Sequence, residues 1–138
     1  MKLRNVPTRL ATGAYILHTG WEKWHGDEDR AAGLHATASG AFPVFNSMKA
    51  TDFLKTLSVG EMAVGTALLT PFVPNVVAGA ALTGFSGALV TMYLRTDGMH
   101  RPGSVWPTAQ GTAVSKDSWM LAIGLGLMID GLRSRRDA

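Results

Sequence analysis

Between residues 53 and 94 the chain carries only two formal charges, Lys55 and Glu61. Apolar and small residues fill the rest, and Pro71 and Pro74 divide the stretch in two. About 20 apolar residues in a helix cross a hydrocarbon core of about 30 Å. Each half meets that length, so the region predicts two membrane helices in an antiparallel hairpin.

Averaged over its 138 residues the chain looks soluble, with mean hydropathy +0.12 and 17% charged residues. The averages conceal clustering: 10 of its 23 formal charges fall in residues 2–9, 27–30 and 133–136. The basic balance, with a pI near 9.6, is compatible with nucleic acid. Here, however, the arginines flank apolar segments, which favours membrane topology and no nucleic acid. Cysteine is absent, which excludes disulfides, thiolate metal sites and dithiol redox chemistry on this chain.

Four spans are expected, at about residues 6–24, 53–72, 75–94 and 117–132. The first is the least apolar, with Arg9, His18, Glu22 and Lys23; Pro7 suits its start and Trp21 and Trp24 its interfacial end. Thr51 or Asp52 is placed to cap the second. The link at 26–50 reads as an interfacial amphipathic helix, with Ala31, Leu34, Ala38, Phe42 and Phe45 as its apolar residues and a turn at Pro43. The predicted fold is therefore all-α: one transmembrane domain, an integral membrane four-helix bundle with an interfacial helix in the first long loop. A cleaved signal peptide is disfavoured, because residues 22–30 set six charges between the first apolar run and Ala36-Thr37-Ala38. Arg and Lys at both chain ends favour cytoplasmic termini under the positive-inside rule. The localisation expected is thus a membrane crossed four times, with both termini cytoplasmic.

Lipid gives helices no hydrophobic reason to associate, so close backbone approach must supply much of the attraction. The third span has two small-residue rows at four-residue spacing: Gly79, Thr83, Gly87, Thr91 and Ala80, Gly84, Ala88. Together they predict one broad smooth face for packing within the bundle, or for self-association.

These helices resemble the DoxX family of small four-span bacterial membrane proteins. The likeness rests on Arg9-Leu10, Gly13, His18-Thr19-Gly20 and Lys23 in span one, and on Gly60-Glu61, Gly65, Leu68-Leu69 and Pro71 in span two. A small-residue third helix follows, and Lys116-Asp117, Leu121, Gly124 and Ile129-Asp130 close the pattern. The resemblance implies the four-span fold and a bacterial cytoplasmic membrane as its location. Some relatives are subunits of a thiosulfate–quinone oxidoreductase, and one associates with superoxide dismutase and a sulfurtransferase.

Two constellations stand out. His18, Glu22 and His25 share a helical face at i, i+4 and i+7, a spacing suited to a divalent metal if Glu61 joins from a second helix. The plainer alternative is that His18 bonds within the bundle while Glu22 and His25 meet interfacial water. Glu61, at membrane depth, needs a partner to remain ionised, and His18, Lys23 and Arg9 are available. Its role is a structural bond between spans one and two, or a proton relay or polar contact for a ligand head such as a quinone. No phosphate loop, haem attachment motif, iron–sulfur motif or nucleophile–base arrangement is present.

Three functions are compatible with these residues. The first is a DoxX-like accessory subunit that binds or stabilises a larger respiratory or redox complex, not catalytic on its own. The second is a quinone-interacting subunit of an oxidoreductase, and the third a small transporter or lipid-binding protein. The partners expected are the lipid bilayer and other membrane subunits or a second copy.

Overall fold

The structure, a computed structural model, describes residues 1–136 and is all-helical among them. Four long helices form its body: α1 (Val6–Trp24), α3 (Ala50–Leu69), α4 (Asn75–Arg95) and α6 (Asp117–Arg136). A helix in the first long connection, α2 (Glu28–Ala41), and a single turn, α5 (Thr112–Ser115), complete the order. α2 begins where the Asp27 carboxylate accepts a bond from the Arg30 amide at 2.8 Å, a conventional N-cap. It ends before Pro43, which opens a short 3-10 turn, Pro43–Ser47.

The long helices run alternately up and down, and they pair α1 with α3 and α4 with α6. Each pair crosses at glycine. A Cβ on Gly65 would lie 2.7 Å from the Leu17 amide and 2.9 Å from the Gly13 carbonyl. A Cβ on Gly79 would lie 2.7 Å from the Gly124 carbonyl and 2.8 Å from the Met128 amide. Those neighbours are backbone and cannot move aside, so only glycine permits either crossing. Ile16, Val64, Leu68, Ala78, Leu82 and Leu127 then meet between the pairs as the main core. A second cluster, built on Ala38, Ala41, Phe53 and Met92, fixes α2 over the end where α3 begins and α4 finishes. Arg95 secures that cap, donating to the Ala41 carbonyl at 3.2 Å with its guanidinium 5.4 Å from the Phe42 ring centroid.

Several expectations change. The broad smooth face on α4 divides in two: Gly79 and Thr83 pack on α6, whereas Gly84 has open space beside it and Ala88 is exposed. Gly87 meets α6 only through the tip of Leu121, at 3.9 Å. Successive helical residues lie about 100° apart, so a single partner helix covers one row and turns the next outward. The helix expected at 53–72 is shifted back to Ala50–Leu69, because Pro71 and Pro74 already belong to the turn. α6 continues a turn past 132 to Arg136. Among the described residues one helix, α4, is long and apolar enough to cross a membrane. α1 and α3 fall short because Arg9, Glu22 and Lys23, and Asp52, Lys55 and Glu61, lie within them.

Candidate functional site

Polar side chains gather at two levels of the bundle. At the level where α1 ends and α6 begins, Glu61 is 5% exposed and its Oε2 accepts from Lys23 Nζ at 3.0 Å. Thr19 Oγ1 lies 3.4 Å from the same oxygen. Gly20 makes the meeting possible: a Cβ there would sit 3.0 Å from the Glu61 Cβ, so α3 presses directly on α1 at that point. Lys23, three residues further along the same face, then lies over the carboxylate. One turn before Glu61, the buried Ser58 hydroxyl donates to the Gly20 carbonyl at 2.6 Å.

Asp117, at the first residue of α6, joins this level. It is 2% exposed and takes Lys116 Nζ at 3.3 Å on Oδ2, and it lies close enough to Glu61 and Lys23 to sense their charges. Among the described residues its Oδ1 has no hydrogen-bond partner, nor does the fully buried Ser86 hydroxyl on α4. A buried acceptor and a buried donor left unmade cost about 1–3 kcal/mol each. A groove of about 410 Å³ runs beside this level between α1 and α6, lined by Thr12, Tyr15, Lys116, Trp119, Met120 and Ile123.

The second level lies at the hairpin. Arg9 is fully buried and donates to no carboxylate. Its Nε bonds the Leu68 carbonyl at 2.8 Å, and its two terminal nitrogens reach the carbonyls of Ala67, Thr70 and Val73 and the Asn75 side chain at 2.8–2.9 Å. The last carbonyls of a helix have no partner within it, and a guanidinium offers five N–H donors in a fixed fork. One side chain of α1 thereby caps α3 and locks the turn into α4. Asn75 passes the connection on, donating to Asp130 Oδ2 at 3.1 Å, and Asn5 donates to the same oxygen at 2.8 Å. Arg4 pairs with Asp130 Oδ1. All four long helices meet in this network.

Of the residues singled out from sequence, Lys23 and Glu61 come together and His18 and Glu22 do not join them. His18 and Glu22 face outward, 67% and 50% exposed, with 3.8 Å between them. His25 Nδ1 lies 3.0 Å from the Trp21 carbonyl on α1 itself. The metal constellation therefore does not assemble: among the described residues no three His, Asp or Glu side chains gather. The cause is angular, since Thr19 and Lys23 occupy the inward face and positions 18 and 22 are rotated away from it. Arg9 does not serve Glu61, which sits at the other level. Asp117 and Ser86 were not legible as site residues, because nothing in their local sequence distinguishes a capping aspartate or a helical serine from a buried one.

No family model matches the chain, and neither does any curated protein or solved structure. What the geometry offers is a fixed ion pair between α1 and α3, a buried Asp117 oxygen near it that is unpartnered among the described residues, and an apolar groove alongside with Tyr15 and Lys116 in its walls.

Proposed function

We propose that the chain is a multi-pass protein of a bacterial cytoplasmic membrane and works as a DoxX-like accessory subunit of a larger membrane assembly. The observation that carries this reading is the outer surface of the helices. Val59 on α3, Val77 on α4, and Trp119 and Ile129 on α6 are more than half exposed, and Leu125 on α6 nearly so. From residue 76 to 94 and from 118 to 129 no side chain is charged, and only a third of the apolar window of α4 is buried. A helix of a water-soluble bundle turns a polar face outward; these faces suit lipid. Arg9 is fully hydrogen-bonded and Glu61 is paired with Lys23, as intramembrane ionisable groups require.

All four tryptophans fall at one level: Trp21 and Trp24 end α1, Trp119 begins α6, and Trp106 lies in the loop after α4. Tryptophan favours the membrane–water interface. The opposite level carries Lys2, Arg4, Arg133, Arg135 and Arg136, consistent with cytoplasmic chain ends under the positive-inside rule. The outward row Ala80, Gly84, Ala88 gives a partner helix a smooth surface, which supports the accessory role. Purification in mild detergent followed by mass spectrometry of co-eluting proteins tests it. Stoichiometric partners lost in Gly84→Leu uphold the accessory role, and a chain that elutes alone in both forms removes it.

The groove between α1 and α6 favours a second reading, a subunit that contacts a quinone. Its walls are mainly apolar, and Lys116 within it pairs with buried Asp117. Quinone extracted from the purified protein would favour that reading over the first.

A further inference from the structure

A separate cavity of about 340 Å³ opens at the hairpin level, between the turn from α3 to α4 and the last turns of α6. Lys2, Ser134 and Arg135 line one wall; the segment 71–76 lines the other. Phe72, at the rim, is 91% exposed, an extreme for so large an apolar side chain. Among the described residues Asp130 is the one acid at this level, and Arg4, Asn5 and Asn75 already engage it. Among the described residues no acid therefore pairs with Lys2 or Arg135; Lys2 donates to the Ser134 hydroxyl, which in turn donates to the Asp130 carbonyl. Arg135 makes no bond to another side chain of the described residues. α4 starts in the same wall after Pro74, without a side-chain cap on its first amides.

We propose that this cavity holds the phosphate of an acidic phospholipid headgroup from the cytoplasmic leaflet. The proposal rests on the membrane reading above. Lys2 and Arg135 supply the positive charge and N–H donors that a phosphodiester anion requires. Phe72 sits beside them as an apolar anchor where acyl chains begin. Basic pockets at the cytoplasmic ends of membrane helices recognise anionic headgroups in this way. A phosphate free in solution shares the chemistry but makes no use of the apolar rim, which favours the lipid.

The test is native mass spectrometry of the detergent-purified, delipidated chain titrated with phosphatidylglycerol or with phosphatidylcholine of the same acyl chains. Phosphatidylglycerol should bind preferentially, and the double variant K2A/R135A should bind it about thirtyfold more weakly, each basic residue contributing about fivefold. K2R/R135K, which keeps both charges, should retain the preference. K49A/R101A, which removes the same charge at the opposite level, should behave as the unaltered chain. Equal binding of the two lipids, or equal loss in both alanine pairs, overturns the site. Displacement of phosphatidylglycerol by millimolar inorganic phosphate at constant ionic strength overturns the lipid as its occupant. Carbonate extraction of membranes keeps the two levels of inference apart. Release into the supernatant removes the membrane reading itself, whereas retention without lipid preference removes this proposal alone.

Discussion

Arg9 shows how one side chain can hold an irregular segment in place. Four carbonyls at the end of α3 and in the following turn, together with Asn75, depend on its guanidinium. Arg9→Ala would strand several of these acceptors at about 1–3 kcal/mol each. The expected outcome is a loss of at least about 3 kcal/mol, read as a large drop in the thermal midpoint in detergent. Arg9→Lys should recover little, because an ammonium cannot reproduce the planar fork. Glu61 behaves differently, since it answers to a single cation. Glu61→Gln keeps a hydrogen-bonding group for Lys23 and should fold nearly as the parent. Lys23→Met leaves a buried carboxylate unpaired and should cost about 3–5 kcal/mol. The double variant Lys23→Met with Glu61→Leu should recover most of that loss. A double-mutant cycle by thermal unfolding measures the coupling, and additive effects would mean that the 3.0 Å contact carries no energy.

At the scale of helices, the glycines divide by what faces them. Gly65→Ala and Gly79→Ala place a methyl against immobile backbone at 2.7 Å. Overpacking of this kind costs about 1–3 kcal/mol. Gly126 has nothing near it, so Gly126→Ala should be neutral or stabilising by up to about 1 kcal/mol, through helix propensity alone. Comparing the three melting temperatures checks the two crossings independently, and three equal values would contradict them. The sequence showed which helices are rich in small residues but not which row is used. Both rows of α4 have the same spacing. Only the position of α6 separates Gly79, at a backbone crossing, from Gly84, facing outward.

On the scale of the whole molecule, the alternating helices gather the four tryptophans at one level and set Lys2, Arg4, Arg133, Arg135 and Arg136 at the other. Single cysteines at Ser104, in the loop after α4, and at Ser134, in the last turns of α6, are clean reporters because the chain has no cysteine of its own. If the proposed membrane topology holds, an impermeant thiol reagent added to intact cells should label position 104 and spare 134. The reverse pattern would invert the orientation, and labelling of both would remove the bundle topology.

Much of this architecture follows from local sequence. Apolar length and the pair of prolines place α4 within a residue of its observed end and join it tightly to α3, because chain connectivity and proline geometry act locally. The partnership of Glu61 with Lys23 was also within reach, since an ionisable group among apolar residues has few candidate partners. The level at which each polar group lies had to come from the tertiary structure. Whether Arg9 meets Glu61 or caps the far end of α3 depends on the register of two helices, which the Gly13–Gly65 and Gly20–Glu61 contacts fix. His18 and Lys23 both looked able to reach Glu61, but rotation of α1 about its axis turns one to the surface and the other inward. Those choices are made by backbone approach between segments some 40–60 residues apart, and no periodicity within either segment encodes them.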